Sequence, residues 1–350
     1  MLHSYVKLDN GGRRHILGGK VKMEETEMRA YRFPTLIAAG FMLLGASVAV
    51  AQSYPTKPIR LVVAAATGGT PDILGRIVGQ KLYEQTGQAV IVDNRPGATG
   101  NIGADVVAKA PPDGYTILMA SSVLAISPAF YKKLPFDPLT NLTPVTTVAS
   151  QAMFLFVHAD SPVKSASELI ALAKSKPGSL NYASFGNGSP QHVAAELLQI
   201  IAGMKLVHVP YKSGGLMVTA LISGEVQLMF LGLSPALPHV KAGRLRTIAV
   251  ASGKRSPTAP DVPTFAEAGV PGLVVGNWFG VLTTGGTPKS VIDKLHAEIV
   301  KAVRAPDTTE RIAQQDLEVN LSSPAEFAAF FRAEIAKWAK VVSVAGIEPQ

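Results

Sequence analysis

The stretch IRLVVAAATGGTPDILGRIVGQKLYEQTG, residues 59–87, joins a strand pattern to a helix pattern. Residues 59–65 form a short apolar run rich in β-branched side chains, which is typical of a buried strand. A turn over residues 67–72 follows, and apolar side chains then recur at helical spacing until Gly87 ends the helix. This order predicts the first half of a β-α-β unit.

Three consecutive residues mark the start of this helix. Thr70 is suited to cap it, Pro71 fits its first position, and Asp72 favours the positive end of the helix dipole. We therefore expect free backbone N–H groups at this loop.

Short strands and helices alternate along the rest of the chain. Strand patterns cover residues 89–92, 115–120, 154–157, 180–183, 205–209, 226–230, 246–251 and 278–282. Helix patterns cover residues 101–110, 165–175, 189–202, 216–222, 235–242, 288–303, 308–314 and 324–345. Strands joined through helices at this spacing predict right-handed crossovers and a parallel sheet. The last helix should bury a stripe made of Phe327, Phe330, Ile335, Trp338 and Val342.

The strand–helix series begins again near residue 153. We predict an α/β protein of two lobes, with lobe 1 formed by residues 52–152 and 276–350 and lobe 2 by residues 153–275. The C-terminal helices are expected to return and cover lobe 1.

Composition excludes several classes of protein. Hydrophobic residues make up 47% and charged residues 17% of the 350 residues, which is too apolar for a disordered chain. Cysteine is absent, so disulfides, thiolate metal sites and cysteine nucleophiles are excluded. Lysine and arginine are scattered without aromatic interleaving, which argues against nucleic-acid binding.

The N-terminal region has the order of a secretory signal peptide. Arg29 and Arg32 precede an apolar run over residues 33–50, and the small residues Ala49 and Ala51 follow in an A-x-A pattern. A transmembrane anchor is the alternative. We predict cleavage after Ala51, a periplasmic mature protein, and a mis-assigned start ahead of Met28.

The sequence offers little for catalysis or metal binding. No P-loop, H-E-x-x-H or G-x-S-x-G motif occurs after residue 51. The histidines of this part show no ligand spacing and are interpreted as surface or capping residues: His158, His192, His208, His239 and His296. The glycines between the first strand and helix lack the G-x-G-x-x-G spacing of a dinucleotide site. We predict no enzyme activity, no metal and no cofactor.

Two loop–helix junctions are the best candidate binding features. The first loop is residues 66–72, and the second loop is residues 184–189, ahead of a helix that carries Gln191, His192 and Glu196. Free N–H groups and the helix dipole at such a junction can hold a carboxylate or phosphate. The alternative is that the glycines only make turns and the hydroxyl residues only cap. One junction in each lobe favours a clamshell that closes on a small anion.

A series of motifs then resembles one family, the substrate-binding receptors of tripartite tricarboxylate transporters, also called Bug-type receptors. The motifs follow in order over residues 52–350: YPTKPIR (54–60), GGxxDxxxR (68–76), NRPG (94–97), PDGYT (112–116), LPFDP (134–138), HVPYK (208–212), DVPT (261–264), EAGxPG (267–272) and AGI (345–347).

The resemblance implies a type II, Venus-flytrap binding protein with its ligand cleft between two lobes. It implies a periplasmic receptor that closes on a small carboxylate-bearing metabolite and delivers it to integral-membrane permease subunits. A receptor that serves a membrane sensor kinase is the alternative. We expect a monomer. The residues that the resemblance places at the ligand are Ala66, Thr67, Gly68, Gly69, Thr70, Asp72, Ser121, Ser122, Ser184, Asn187, Gly188, Ser189 and His192.

The chain departs from the family pattern before the double glycine, where Ala64, Ala65 and Ala66 replace a Pro-Phe-Pro-like stretch. The departure implies a missing pocket wall. Two arginines are alternative anion ligands, but Arg76 is interpreted as the helix partner of Asp72, and Arg95 as a residue that braces its own turn by hydrogen bonds to carbonyl groups.

Overall fold

The computed structural model describes residues 7–8, 14–15 and 54–349. The chain divides into two units, Met1–Ser53 and Tyr54–Gln350. In the first unit, Lys7–Leu8 pairs antiparallel with Arg14–His15. The predicted signal peptide lies outside the described residues. Among the helices of the described residues, none combines the length and the apolar character that a membrane span requires.

The second unit is an α/β fold, whose elements are numbered here from Tyr54 onward. Its strands are β1 (Ile59–Val63), β2 (Val90–Asn94), β3 (Thr116–Ser121), β4 (Leu142–Ala152), β5 (Phe154–His158), β6 (Asn181–Ser184), β7 (Val207–Pro210), β8 (Leu228–Leu231), β9 (Leu245–Val250), β10 (Gly276–Thr284) and β11 (Glu318–Val319). Its α-helices are α1 (Thr70–Thr86), α2 (Asn101–Ala108), α3 (Val123–Phe130), α4 (Ala166–Ser175), α5 (Pro190–Ala202), α6 (Gly214–Ile222), α7 (Leu233–Lys241), α8 (Lys289–Arg304), α9 (Pro306–Ala313) and α10 (Pro324–Val344).

A six-stranded mixed sheet forms the core of the first lobe, in the order β11-β4-β10-β3-β1-β2. The predicted parallel pairing is confirmed for β1 with β2 and for β1 with β3. The pairing of β10 with β3 and with β4 is antiparallel. The expectation of a purely parallel sheet is therefore wrong, because it leaves out β4, whose Thr-rich sequence TPVTTVASQA lacks the apolar run of a buried strand.

A five-stranded sheet forms the core of the second lobe, in the order β9-β5-β8-β6-β7. Strand β6 is parallel to β7 and β8, while β5 is antiparallel to β8 and β9. The chain passes from the first sheet to the second between β4 and β5, and returns between β9 and β10. The limits of the two lobes at residues 152/153 and 275/276 stay a prediction.

Helix α10 contributes phenylalanines to an aromatic cluster around Trp278. Trp278 of β10 makes edge contacts with Phe327 and Phe331, at ring-centroid distances of 5.3 and 5.9 Å. The predicted stripe is wrong at one position, because Phe331 is 1% exposed whereas Phe330 is 41% exposed. The helix contacts β4 and α3, and also α5 of the other lobe.

The helix ends largely follow local sequence. Gly87 ends α1 in the left-handed conformation, at φ 70°. Thr70 does not cap α1 as predicted; Gly69 occupies the N-cap position and Thr70 is the first helical residue. Helix α3 was not predicted, because its sequence VLAISPAF is apolar without helical periodicity and contains Pro128.

Candidate functional site

A cavity of about 460 Å³ lies where the carboxyl ends of β1 and β3 face the start of α5. Its first-lobe lining is Ala64, Ala65, Ala66, Pro96, Gly97, Thr99, Gly100, Ala120, Ser121, Val123, Leu124 and Asn277. Its second-lobe lining is Phe185, Asn187, Ser189, Pro190 and Gln191. Among the described residues, no charged side chain lines this cavity.

Three helices begin at this cavity. Gly100 precedes α2, the first residues of α3 are the lining residues Val123 and Leu124, and α5 begins directly after Ser189. The first turn of each of these helices contains no acidic residue. The positive dipole ends of these three helices therefore lie at a cavity that no charged side chain of the described residues lines.

The second loop is held together by its own hydroxyl groups. Ser189 caps α5 by accepting a hydrogen bond from the backbone N–H of His192 at 3.3 Å, and it donates to the carbonyl of Gly186 at 2.7 Å. The buried Ser184 accepts from the N–H of Gly186 at 2.9 Å and is hydrogen-bonded to Nε2 of His208. Both hydroxyl groups thus stabilise the loop itself.

A stacked pair of histidines, the buried His192 and the half-buried His208, lies behind the second loop. The rings of His192 and His208 stack at a centroid distance of 4.4 Å, and Nδ1 of His192 accepts from the N–H of Gly188 at 3.3 Å. Burial and repulsion from His208 lower the pKa of His192 to about 4, and burial lowers the pKa of His208. The His192 ring is neutral near pH 7, and interpreting this buried residue as a surface or capping residue was wrong.

Gln191 directly precedes His192 in α5 and is one of the residues that line the cavity. It is 7% exposed, and its Oε1 has no hydrogen-bond partner among the described residues. A carboxamide that is buried without a partner is rare in proteins. The Oε1 of Gln191 is therefore an unpaired hydrogen-bond acceptor on a residue of the cavity lining.

Asn277 supplies a second carboxamide from the strand that returns to the first lobe. Ser122 donates to its Oδ1 at 2.6 Å, which leaves the amide NH₂ as the group available to a ligand. Ser121, the last residue of β3, lies beside it in the lining.

The first loop meets the cavity with one residue, Ala66. Asp72 is buried behind it, where its carboxylate accepts from the N–H of Gly68 at 2.8 Å and pairs with Arg76 at 3.0 Å. Burial alone raises the pKa of the Asp72 carboxyl, but hydrogen bonds from Arg76 and Gly68 outweigh it and hold that pKa below its usual range. The interpretation of Arg76 as the partner of Asp72 is confirmed.

An ion pair, not hydrogen bonds to carbonyl groups, holds Arg95 in the turn next to the first loop. Arg95 pairs with the Asp93 carboxylate at 2.9 Å, which corrects the prediction that Arg95 bonds to carbonyls. Arg76 also donates to Asn94 at 3.2 Å, and Asn94 donates to the carbonyl of Ala65 at 3.2 Å. These bonds fix the alanine wall of the cavity.

Of the residues predicted at the ligand, the structure brings four together in the lining: Ala66, Ser121, Asn187 and Ser189. The others lie outside the lining: Thr67, Gly68, Gly69, Thr70, Asp72, Ser122, Ser184, Gly188 and His192. Whether any of them binds a ligand stays a prediction. Gln191 and Asn277 were missed, although the place of Gln191 in the first turn of a predicted helix was a usable signal.

Residues 74–347 match the model of a family described as the tripartite tricarboxylate transporter family receptor. A curated relative, the UPF0065 protein in the tcbD-tcbE intergenic region of Pseudomonas sp. (strain P51), is 37% identical over 337 residues, which are 96% of this chain and 95% of the relative.

Two solved structures are similar over most of the chain. The structure described as R. palustris Rpa4515 with adipate is 36% identical with a TM-score of 0.72, over 85% of this chain and 100% of that one. The periplasmic binding protein BugD is 32% identical with a TM-score of 0.70, over the same shares. These matches confirm the two-lobe α/β class and the resemblance that the sequence motifs indicate.

Proposed function

The chain belongs to the tripartite tricarboxylate transporter receptor family, and we propose that it is a periplasmic receptor that closes on a small carboxylate. A receptor of this family serves a membrane transporter, so the partners of this chain are an organic anion and integral-membrane permease subunits. The proposal includes neither a catalytic step nor a cofactor.

One observation carries the carboxylate assignment: the N-termini of α2, α3 and α5 meet at a cavity that no described charged side chain lines. Each helix N-terminus behaves as about half a positive charge, and an anion there gains roughly 0.3–1 kcal/mol, up to about 2 kcal/mol in partly buried sites. A backbone N–H group at such a helix end can add a charge-assisted hydrogen bond to the anion. The adipate complex of Rpa4515 shows that a relative with this fold binds a carboxylate.

Ligand-dependent stability tests this function. A ligand that binds the folded protein but not the unfolded chain adds about 2.7 kcal/mol to the free energy of unfolding at 100 times Kd. We expect carboxylates to raise the melting temperature in a panel that includes neutral sugars and organic cations of equal size. A panel in which only sugars or cations raise it contradicts the proposal.

Export is part of the same proposal. The basic, apolar and small-residue order of residues 29–51 supports removal of the N-terminal segment, so that the mature protein begins at Gln52. N-terminal mass analysis of the protein from the envelope fraction checks this. An uncleaved chain recovered from membranes would support an anchor instead.

A further inference from the structure

Helix α7 of the second lobe begins without a cap from its own sequence. Gly232 occupies its N-cap position and has no side chain that could accept a hydrogen bond, and the first turn contains no acidic residue. A helix N-terminus carries unpaired N–H groups and a partial positive charge, which a side-chain oxygen usually satisfies. For α7 that oxygen has to come from another part of the chain.

The cap of α7 comes from the first lobe. The Asp316 carboxylate accepts from the N–H of Ser234, in the first turn of α7, at 3.0 Å. Asp316 lies between α9 and β11, a strand of the six-stranded sheet, whereas α7 joins two strands of the five-stranded sheet. Burial raises the pKa of the Asp316 carboxyl, and hydrogen bonds from the N–H groups of Ser234 and Leu233 oppose that shift. The carboxylate therefore lies in a partly desolvated contact between the two lobes.

The backbone of Asp316 indicates that its side chain has a specific use. Its φ of 58° lies in the left-handed region, which glycine adopts most readily and which aspartate tolerates at some cost. Glycine would make this turn more easily but would offer no carboxylate to α7. The aspartate thus trades backbone comfort for the bond to the other lobe.

This contact lies beside one of the two places where the chain passes between the sheets. Asp316 lines a small cavity of about 20 Å³ together with Ser150, Ala152 and Phe154, which flank the passage from β4 to β5. Asp316 is not among the residues that line the 460 Å³ cavity. The bond to α7 therefore joins the lobes at the passage and apart from the cleft.

We propose that Asp316 is a latch between the lobes: by capping α7 from the first lobe, it holds the arrangement in which both lobes line the cavity. The latch acts without contacting a ligand. Only molecules in this arrangement offer a ligand both walls of the cavity, and apparent affinity falls in proportion to the fraction that is competent to bind. The latch thus keeps the empty cleft ready for binding.

The distance between two spin labels on the ligand-free protein tests the latch. The sequence contains no cysteine, so Lys132→Cys in the first lobe and Lys174→Cys in the second, both at exposed positions, give unique labelling sites. The doubly labelled protein should show one narrow distance distribution by pulsed electron paramagnetic resonance. Asp316→Gly removes the carboxylate and suits the left-handed turn, so it should broaden or shift this distribution. Asp316→Asn keeps an acceptor oxygen without the charge and should give a smaller change.

Ser165→Ala is the matched control, because Ser165 caps α4 from within the second lobe by accepting from the N–H of Glu168. This variant should lower the melting temperature by about 2–4 °C and leave the distance distribution unchanged.

Three results overturn the latch. They are a distribution in Asp316→Gly that equals that of the parent, a broad distribution in the parent itself, and equal broadening in Ser165→Ala, which would assign the change to a general loss of stability. If Asp316→Gly does not fold, the distribution of Asp316→Asn decides the same question.

Discussion

The two loop–helix junctions have nearly the same sequence and opposite chemistry. Residues 70–72 read Thr-Pro-Asp at the start of α1, and residues 189–191 read Ser-Pro-Gln at the start of α5. In α1 the third residue, Asp72, is an ionised carboxylate at the positive helix end, and it also pairs with Arg76. In α5 the third residue is an uncharged amide without a partner for its oxygen among the described residues. The two junctions thus differ in the charge of one side chain: the helix end of α1 has its own carboxylate, Asp72, and that of α5 has the uncharged amide of Gln191.

A glycine-rich loop before a helix is therefore not by itself an anion site. At the first loop, an acidic side chain of the helix itself lies at the positive end of α1, where the Asp72 carboxylate accepts from the loop N–H of Gly68. In the second loop the hydroxyl groups of Ser184 and Ser189 bond to backbone groups of the loop, Ser189 also caps α5, and no carboxylate side chain lies in the first turn of that helix.

The largest expected effect is a pH dependence of the free energy of unfolding, which arises at the second loop and not at the first. The pKa of His192 is about 4 in the folded protein, below its ordinary value of 6.5, so the unfolded chain binds the proton more tightly. Stability from this group is complete above pH 6.5 and is lost as the pH falls toward 4. The loss between pH 7 and pH 5 is about 2 kcal/mol in the free energy of unfolding.

Urea denaturation at pH 7 and pH 5 measures this difference. His192→Asn keeps an acceptor for the Gly188 N–H and should reduce the difference, leaving the share of the neighbouring His208. Asp72→Asn is the control and should keep the full dependence, because the Asp72 carboxyl titrates below its usual value of 3.8. An unchanged dependence in His192→Asn contradicts the prediction.

Removal of the Asp72 charge at the start of α1 should have the next largest effect on stability. Asp72→Asn removes the charge that pairs with Arg76 and should lower the free energy of unfolding by about 1.5 kcal/mol at pH 7, typical of a lost charge-assisted hydrogen bond. In the unmodified protein this contribution is present above pH 3.8 and is lost as the pH falls through the lower, folded pKa of Asp72.

Ligand affinity shows whether the two helix ends are independent. Because Asp72 lies outside the lining of the cavity, Asp72→Asn should leave carboxylate affinity within about twofold, a change of less than about 0.5 kcal/mol. A loss of affinity beyond about tenfold in a folded variant would place the carboxylate at the first loop instead.

Removing the cap of α5 has the smallest expected effect. Ser189→Ala should cost about 1 kcal/mol of stability and leave affinity nearly unchanged, because the hydroxyl group is already used within the loop. Ser165→Ala is a matched control, since Ser165 caps α4 by accepting from the N–H of Glu168. A tenfold loss of affinity in Ser189→Ala alone would show that Ser189 donates to the ligand.

The local sequence pattern was sufficient to predict most strands and helices and to identify the family. The strands β1, β3 and β5 and the helices α1, α5 and α10 were predicted within a few residues, because their apolar spacing is set by the backbone geometry of each element. The ordered motifs from residue 54 onward identified the receptor family, and the junctions located both sides of the cleft.

Only the tertiary structure decided which of these residues face the cavity. The mixed pairing of β10, the burial of Phe331 in place of Phe330 and the stacking of His192 on His208 all depend on contacts between distant segments. The same holds for Asn277, which reaches the cavity because Ser122, 155 residues earlier, fixes its amide. Sequence spacing determines which side chains share one face of an element, but the long-range packing of that element decides whether the face meets core, solvent or ligand.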